Sequence, residues 1–400
     1  MEKKKILMII PRLAAGGAER VVSNLTLNLS DVYKIDILLD YNSIEYPYNA
    51  QVLTLSSECE EPKGIRQIAL YIKKYIILRK MKKQKKYDAY ISHSRISDII
   101  NVLSGYKKEN VILTKHCSLT RPSDNNIKEK ILQKLERYAY THAPKVIAVS
   151  DGVKEELEEL FGIKNEKIRA IWNGSDINKI KKLAQEELLE EQKQWFQNST
   201  HVVVGMGRYI MEKGFGHLIR AFSRVINVYP DAKLILLGEG ELRSYYEKLI
   251  CEMNLSEHVI LAGFQENPYS VIKHSNVFVF SSVTEGFGYA LAETICCSIP
   301  CIVTEFSKAA REILGYSGEE DKLRDEYRIL ETGILSPVCS GTLYSASEKL
   351  EEAEIILANS IVYALEHPKE MRQMVNCNQK REHLFSLSRM ADKWMEFIEE

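Results

Sequence analysis

Residues 277–293 read VFVFSSVTEGFGYALAE, and this stretch combines the features that decide the fold. The four apolar residues Val277 to Phe280 predict a short, buried β-strand. Glycines at 286 and 288 then let the backbone turn sharply, and the residues from Tyr289 to Cys297 have the pattern of a helix. A strand followed by a glycine turn and a helix is typical of the repeating unit of a parallel α/β sheet.

The same stretch carries two glutamates that are eight residues apart, Glu285 in the turn and Glu293 about two turns into the helix. Open α/β sheets bind ligands at the carboxyl ends of their strands, and free N–H groups at a helix N-terminus favour an anion. Two carboxylates beside such a site suit a ligand that has many hydroxyl groups and a phosphate. The spacing alone is equally compatible with one solvated loop residue and one residue on a helix surface.

The chain has 400 residues, a formal net charge of −1 and eight cysteines. This length allows two domains, each with its own core, and the charge gives no reason to expect a nucleic-acid partner. The cysteines are scattered, without Cys-x-x-Cys pairs or zinc spacing, so we expect a reduced, cytosolic and soluble protein. The apolar run Ile6 to Ile10 follows a basic start but is too short for a signal peptide or a membrane span, and a first β-strand is expected there instead.

Predicted strands and helices alternate along the chain in two series, separated by a charged segment without strands at 175–199. Two such series predict an α/β protein with two doubly wound, Rossmann-like parallel-sheet domains that face a central cleft. The expected domains are 1–174 and 200–385, with 175–199 as a linker and a polar helix at 386–400 that could return to either domain. The predicted strands are Ile6–Ile10, Ile35–Leu39, Val52–Leu55, Ala89–Ser92, Val111–Lys115, Val146–Val149, Ile168–Ile171, His201–Gly205, Leu234–Leu237, Val259–Leu261, Val277–Phe280 and Cys301–Val303.

Glycine-bearing turns open both series. Gly16-Gly17 would let the backbone come close to a phosphate or a sugar, although a tight turn can need glycine for geometry alone. In the second series, Arg208 and Lys213 lie five residues apart, where they could hold a diphosphate from two sides. Two solvated loop cations are the alternative. Neither turn has the Gly-x-Gly-x-x-Gly or P-loop pattern, which disfavours a dinucleotide site and an NTPase.

His93 and His116 each directly follow a predicted strand, so both are expected at the ligand-binding edge of the first domain. A single histidine in such a place is commonly structural, whereas two at corresponding strand ends favour a function for one of them. The sequence contains no Asp-x-Asp, His-x-His or His-x-x-x-His pattern. We therefore expect no metal site.

Residues 71–86 form a predicted helix with eight lysines and arginines and no acidic residue. Such a helix suits an anionic membrane surface or a phosphate-bearing partner, whereas an ordinary solvated helix face is the alternative. The cations predicted to contact this surface are Lys73, Lys74, Arg79, Lys82 and Lys83.

Seven segments, taken in order, resemble glycosyltransferase family 4, the retaining nucleotide-sugar enzymes of the GT-B fold. None of the segments is specific alone, but all seven occur in register and together they cover most of the chain. They are Gly16-Gly17-Ala18-Glu19-Arg20, Val149-Ser150-Asp151-Gly152-Val153, Ile171-Trp172-Asn173-Gly174, Gly207-Arg208 with Lys213-Gly214, Leu236 to Leu242, Glu285 with Glu293, and Gly333-Ile334-Leu335-Ser336-Pro337.

The resemblance implies a role for each matching residue. Arg208 and Lys213 would grip the donor diphosphate, Glu293 would bind the ribose hydroxyls, and Glu285 would contact the transferred sugar. The other implied sites are the backbone of Gly286, Phe287 and Gly288 at the sugar, Gly263 and Phe264 at the base, Gly16 and Gly17 closing over the donor, His116 near the reacting centre, and Arg20 with His93 on the acceptor side.

The implied activity is transfer of a hexose or an N-acetylhexosamine from a nucleotide donor, expected to be UDP-linked, to a hydroxyl of a glycan acceptor. The helix at 71–86 also resembles one in family members that extend lipid-diphosphate-linked oligosaccharides at the bacterial inner membrane. The resemblance therefore implies a metal-independent enzyme of cell-surface polysaccharide biosynthesis, without a cofactor, cytoplasmic and bound peripherally to the inner face of the membrane.

Two alternatives come from other classes: a non-catalytic protein that binds nucleotide sugars or a membrane surface, and a glycoside hydrolase. A hydrolase would also use two carboxylates, but it has no need of a diphosphate grip. The chain departs from the family at 306–313, where FSKAAREI replaces the glycine-rich turn of many members. This departure concerns the geometry near the donor sugar.

Overall fold

The computed structural model describes residues 3–14, 16–105, 110–119, 127–318 and 323–400. The chain divides into two compact units. The first unit extends to Gly174 and also contains Leu387–Glu400, and the second unit is Ser175–Ser386. Each unit is built around one sheet of seven strands within the described residues, flanked by helices.

The sheet of the first unit is parallel throughout. Its strands are β1 (Lys5–Ile10), β2 (Lys34–Leu39), β3 (Gln51–Thr54), β4 (Ala89–Ser92), β5 (Asn110–Lys115), β6 (Lys145–Ala148) and β7 (Ile168–Ala170). Their order in space is β3-β2-β1-β4-β5-β6-β7. Because helices cover both faces of a parallel sheet, its central strands are apolar on both sides, and every side chain from Ile6 to Ile10 is buried.

Helices alternate with these strands. They are α1 (Gly17–Leu29), α2 (Ile65–Lys83), α3 (Arg95–Leu103), α4 (Ile127–His142) and α5 (Asp151–Phe161). Ser150 caps the start of α5, because its side chain accepts a hydrogen bond from the N–H of Val153. The helix then ends at Gly162, which has the left-handed backbone conformation that favours glycine.

The sheet of the second unit is parallel except for one edge strand. Its strands are β8 (Val202–Met206), β9 (Lys233–Leu237), β10 (Val259–Gly263), β11 (Val277–Phe280), β12 (Cys301–Thr304), β13 (Arg328–Leu330) and β14 (Gly333–Ser336). Their order is β10-β9-β8-β11-β12-β14-β13, and β13 pairs antiparallel with β14. The helices are α6 (Ile177–Ala184), α7 (Glu190–Trp195), α8 (Phe215–Val228), α9 (Arg243–Glu252), α10 (Pro268–His274), α11 (Tyr289–Cys296), α12 (Lys308–Ile313), α13 (Glu352–Glu366) and α14 (Pro368–Gln379).

The two parallel-sheet units confirm the predicted α/β class. Each predicted strand is present to within a residue or two, whereas β13 and β14 were not predicted. The segment expected to link the domains, 175–199, contains α6 and α7 and belongs to the second unit. There the side chain of Asn267 donates to the carbonyl of Leu183 at 2.9 Å, which fastens α6 to the start of α10.

The C-terminal helix α15 (Leu387–Glu399) lies in the first unit. Its side chains Trp394 and Phe397 are buried. The hydroxyl of Tyr33 donates to Glu399 at 2.8 Å, and the ammonium of Lys145 donates to the Phe397 carbonyl at 2.8 Å. The last residues of the chain are therefore part of the core of the first unit.

The structure corrects the prediction for the lysine-rich helix, which is α2. Two of the cations expected at a membrane surface, Lys74 and Lys82, are buried. The ammonium of Lys74 lies 2.8 Å from the carboxylate of Asp40, and Lys82 donates to the side chain of Asn101 at 2.9 Å. The prediction is wrong for these two residues, because their partners hold them inside the unit. In the described part of the chain, none of the helices combines the length and the apolarity that crossing a membrane requires.

The Lys74–Asp40 pair provides a test of this arrangement. Asp40→Asn leaves the ammonium of Lys74 buried beside a neutral group, and burial already lowers the pKa of Lys74 while Asp40 opposes this. We expect the free energy of unfolding, measured by urea denaturation, to fall by about 3 to 5 kcal/mol.

The matched control is Glu166→Gln, which makes the same chemical change in an exposed ion pair with Lys164. We expect that variant to unfold like the unchanged protein, since exposed ion pairs contribute little. Equal effects of the two substitutions would contradict the burial of Lys74.

Candidate active site

The loops that follow β8, β9 and β10 are fastened together at the carboxyl edge of the second sheet. The N–H of Gly207 donates to the Leu237 carbonyl at 2.9 Å, and the N–H of Gly238 donates to the Gly263 carbonyl at 2.9 Å. A side chain at Gly238 is excluded, because its Cβ would lie 1.9 Å from the Gly207 oxygen and its φ is +141°. The loop that carries Arg208 is therefore held by backbone contacts.

Lys213 and Glu285 form an ion pair at this edge. Lys213 ends a short 3₁₀ turn after β8, and its aliphatic chain packs against Gly207. Glu285 follows β11, and the hydroxyl of Ser282 also donates to its carboxylate at 3.2 Å. Both charged side chains are about one-fifth exposed. The structure thus brings together two residues that the sequence analysis assigned to separate motifs.

The backbone around this ion pair is fastened from both sides. The hydroxyl of Ser281 donates to the Lys213 carbonyl at 2.9 Å, and the N–H of Val283 donates to the Glu212 carbonyl at 2.8 Å. Gly214 lies between these contacts with φ +65°, and a Cβ there would be 2.1 Å from the Ser281 oxygen. The close approach of the two loops requires glycine at 214.

The side chain of Arg208 is exposed, and its guanidinium makes no hydrogen bond or ion pair with any residue that the structure describes, whereas its carbonyl accepts from the N–H of Ile210 at 2.9 Å. It follows β8 directly and precedes the 3₁₀ turn that ends at Lys213. The exposed guanidinium of Arg208 can donate two parallel hydrogen bonds, and the half-buried ammonium of Lys213 is a point charge. Together they suit a multiply charged anion.

Glu293 lies in α11 and is buried, with only 3% exposed. Gly288 precedes the helix with φ +92°. The ring of Phe287 is buried near Phe385. Residues 286–288 are all buried, and the contact of their backbone with a donor sugar stays a prediction.

Phe306 occupies the position at which the chain departs from the family pattern. Its ring is buried, with its centroid 5.5 Å from that of Phe280, and its edge approaches Gly288. An aromatic side chain therefore fills the space behind the turn that carries Glu285. Phe306 therefore has a packing role at the position where many family members have a glycine-rich turn.

Phe264, in contrast, is 77% exposed at the end of β10. It follows Gly263, whose φ is +71°. The neighbouring side chain of Gln265 is fixed, since it accepts a hydrogen bond from Gln192 of α7 at 2.9 Å. An exposed aromatic ring on a fixed loop is suited to stacking on a planar group such as a nucleobase.

In the first unit, the turn after β1 contains more charge than the sequence analysis recognised. Gly16 has extended backbone, and a Cβ there would meet the carboxylate of Glu19. Arg12 lies 3.5 Å from the same carboxylate. Arg20 is half-buried in the first turn of α1. Arg12 and Glu19 are further charged residues of this turn in the first unit, and their positions on either side of the glycine pair are the signal that could have identified them.

His93 and His116 meet at the carboxyl ends of β4 and β5. The Nδ1 atom of His93 lies 3.1 Å from Nε2 of His116. The indole of Trp394, from α15, stacks on His93 with ring centroids 5.8 Å apart. The prediction identified both histidines, and it did not identify Trp394.

One group of three potential metal ligands occurs among the described residues: His217, Cys339 and Glu351. Both ring nitrogens of His217 already have partners. Its Nδ1 lies 2.8 Å from Glu354, and its Nε2 accepts the N–H of Gly341 at 3.1 Å. The arrangement fastens the segment before α13 to α8, and a metal ion would have to displace one of these hydrogen bonds.

Two protein-family models match the chain. The model described as Glycosyltransferase Family 4 matches residues 15–179, and the model described as Glycosyl transferases group 1 matches residues 188–318. An uncharacterized glycosyltransferase of Methanocaldococcus jannaschii is 33% identical over 274 residues, which are 68% of this chain and 67% of that protein. A Campylobacter jejuni protein is 30% identical over 78% of this chain and 84% of its own length. It is named N-acetylgalactosamine-N,N'-diacetylbacillosaminyl-diphospho-undecaprenol 4-alpha-N-acetylgalactosaminyltransferase.

Solved structures resemble the chain over nearly its full length. HepE of Anabaena in complex with UDP has a TM-score of 0.72 at 17% identity, and 98% of each chain is covered. A sucrose-phosphate synthase from Thermosynechococcus elongatus has a TM-score of 0.75 at 19% identity, again with 98% of each chain covered. At these identities the similarity concerns the fold, and it confirms the predicted GT-B class.

The close approach at Gly214 can be tested with a matched pair of glycines. Gly214→Ala adds a Cβ that clashes with the Ser281 carbonyl in a left-handed conformation, whereas Gly162 has the same left-handed conformation and open space around its Cβ position. We expect Gly162→Ala to lose about 1 to 2 kcal/mol of unfolding free energy from backbone strain alone. Gly214→Ala should lose clearly more, and urea denaturation measures both. Equal losses would show that the two loops do not approach each other as described.

Proposed function

The chain belongs to glycosyltransferase family 4, and we propose that it transfers a hexose or an N-acetylhexosamine from a UDP-linked donor to a hydroxyl of a lipid-diphosphate-linked glycan. The observation that carries this proposal is the ion pair of Lys213 and Glu285 beside the unpaired guanidinium of Arg208. A diphosphate needs two cations, and a sugar needs a carboxylate close to them. Arg208 and Lys213 supply the cations and Glu285 supplies the carboxylate, all at the carboxyl edge of the second sheet.

The charges account for how the donor would be held. Before the donor binds, Glu285 neutralises Lys213, so that neither half-buried charge is left alone. A bound diphosphate would offer Lys213 a second anion and would pair with Arg208. The carboxylate of Glu285 could then accept hydrogen bonds from sugar hydroxyls. As the bond to the anomeric carbon breaks, both cations would stabilise the negative charge on the leaving diphosphate.

The nucleotide part is supported by Phe264, whose exposed ring could stack on the base, and by Glu293 for the ribose hydroxyls. UDP is favoured because HepE, which has a similar fold, is described in complex with UDP. The anomeric configuration would be retained, as in the family that the motifs resemble. The proposed chemistry uses no metal ion and no cofactor, since Arg208 and Lys213 supply the positive charge.

The acceptor part of the proposal rests on the Campylobacter relative, whose name specifies an acceptor linked to diphospho-undecaprenol. An acceptor of this kind lies in a membrane, so the enzyme would act from the cytoplasm on the inner face of that membrane. The outer face of α2 suits such a surface. Its isoleucines at 65, 68, 72 and 76 are all more than half exposed, and their spacing of three and four residues places them on one side of the helix.

Two exposed lysines, Lys73 and Lys83, accompany this isoleucine stripe, and the ammonium of Lys73 donates to the Leu55 carbonyl at 2.5 Å. Arg79 is half-buried and donates to the Gly105 carbonyl at 3.1 Å, so it contributes less. Apolar side chains flanked by lysines match the chemistry of an anionic lipid surface, into which isoleucines insert while lysines bind headgroups. We therefore propose peripheral binding through the isoleucine stripe, with Lys74 and Lys82 excluded from it.

The donor site is tested by removing each cation in turn. Arg208→Met and Lys213→Met should each lower kcat for sugar transfer by roughly a hundredfold to a thousandfold, because stabilisation of the leaving diphosphate is lost. Binding of UDP, measured by calorimetry, should weaken as well. The assay screens UDP-sugars with lipid-diphosphate-linked acceptors, and transfer should persist in EDTA.

The control for these variants is Arg224→Met, which removes an exposed cation further along the chain in α8 and should leave transfer unchanged. Wild-type kcat in both Arg208→Met and Lys213→Met would refute the proposed diphosphate grip. UDP binding without transfer from any donor would instead favour a non-catalytic binding protein.

The membrane surface is tested by flotation with vesicles of phosphatidylglycerol and phosphatidylethanolamine. Changing Ile68, Ile72 and Ile76 together to serine should weaken partitioning at least about tenfold, since the apolar contact is removed. The control changes three exposed apolar residues of other segments, Leu27, Val32 and Leu160, to serine. Undiminished flotation of the isoleucine variant would contradict membrane binding by α2.

A further inference from the structure

Two histidines and one tryptophan form a cluster of rings at the strand ends of the first unit. His93 is buried and contacts both of the other rings, since it is hydrogen-bonded to His116 and stacked on Trp394. The two imidazoles share one hydrogen bond, between Nδ1 of His93 and Nε2 of His116. The other two ring nitrogens, Nε2 of His93 and Nδ1 of His116, are buried, and no described residue offers them a partner.

The number of protons in this pair limits what it can do. Two neutral imidazoles carry two N–H groups, and one of them lies in the shared hydrogen bond. When Nδ1 of His93 donates to Nε2 of His116, His116 carries its own proton on Nδ1. When Nε2 of His116 donates to Nδ1 of His93, Nδ1 of His116 has no proton and can only accept, and His93 carries its own proton on Nε2. The ring of His93 therefore determines which role Nδ1 of His116 can take.

Burial keeps both rings neutral. It lowers the pKa of His116 to about 3, with a further contribution from Lys115, and it holds the pKa of His93 well below its usual value. The charges near the pair are also balanced. Lys115 pairs with Glu136 at 2.6 Å, and α15 presents the uncharged indole of Trp394. A third proton on this pair would be a buried charge without a counter-ion.

The third ring, the indole of Trp394, is held in place by the contacts of the C-terminal helix α15. Trp394 is buried in α15, and that helix is fastened near both of its ends. Near its start, the sulfur of Met390 accepts the N–H of Gly174 at 3.2 Å. Near its end, Glu399 accepts from Tyr33 and also pairs with Lys4. The indole that packs on His93 is therefore carried by a helix that is fastened to the rest of the first unit.

We propose that His93 and Trp394 are positioning residues for His116: Trp394 fixes the ring plane of His93, and His93 fixes the orientation and the tautomer of His116. This inference rests on the proposed function and on the role near the reacting centre that the family resemblance implies for His116. It adds that the C-terminal helix takes part in shaping the site. Because His93 is buried, we assign it no contact with the acceptor, in contrast to the acceptor-side role expected for it from the sequence.

The test compares His93→Leu, which keeps the bulk and loses the hydrogen bond, with His93→Asn, whose amide can donate or accept at the position of Nδ1. We expect His93→Leu to lower kcat about tenfold to a hundredfold, as is typical when the partner that orients a functional histidine is removed. Binding of UDP should stay within about threefold. His93→Asn should restore most of the lost kcat.

Nitrogen-15 NMR of the histidine rings provides a readout that does not depend on activity. In the wild type, His116 should be neutral across the neutral pH range, with one tautomer favoured. In His93→Leu its tautomer ratio should change or its pKa should rise. Trp394→Phe should leave the tautomer ratio and the pKa of His116 as in the wild type. Trp394→Leu should change them in the same direction as His93→Leu, but by less.

Two results would overturn the inference: wild-type kcat in His93→Leu, or an unchanged tautomer and pKa of His116 in that variant. Failure of the proposed function has a different signature. If the wild type transfers no sugar from any donor, or if His116→Ala is fully active, the role of His116 is refuted. The NMR comparison still decides, in either case, whether His93 and Trp394 control its ring.

Discussion

Helices cover both faces of each parallel sheet, and this constraint determines where polar chemistry can occur in the protein. The strands are largely apolar on both sides, so charged and hydrogen-bonding side chains are concentrated at the points where strands end. In the first unit these points carry His93 and His116, and in the second they carry Lys213 and Glu285. The parallel arrangement brings the ends of neighbouring strands to the same edge. Residues far apart in sequence therefore meet there without any long loop.

Close backbone contact is the second requirement at this edge. The turn with Arg208 lies against Gly238, and the turn with Lys213 lies against Ser281 through Gly214. Loops fastened in this way keep charged side chains in place before a ligand arrives, which lowers the cost of organising them during a reaction. The ion pair of Lys213 and Glu285 adds an electrostatic contact between the same two loops. Glu285 and Lys213 are thus positioned by one set of contacts.

The strands and most of the candidate site residues could be predicted from the sequence, because they depend on local patterns. Val277 to Phe280 is recognisable as a buried strand, and Glu285 and Lys213 each follow a strand in a glycine-bearing turn. The partners of these residues could not be predicted. Trp394 stacks on His93, although the two residues are 301 positions apart in the sequence. The short strand β13 was missed because three residues with one charge carry too little periodicity.

The helix α2 shows most clearly why a lysine in a sequence does not reveal its surroundings. Its buried positions are Leu70, Lys74, Leu78 and Lys82, which recur every four residues and so form one face. Two of the four are lysines, and they are tolerated there because Asp40 and Asn101 lie opposite them. The opposite face, with isoleucines at 65, 68, 72 and 76, is exposed.

The usual arrangement of an amphipathic helix is therefore partly inverted in α2. Exposing four large apolar side chains in a row is unfavourable in water, whereas the same row is favourable against lipid. The inversion is thus a stronger argument for a membrane surface than the lysine count from which the prediction began.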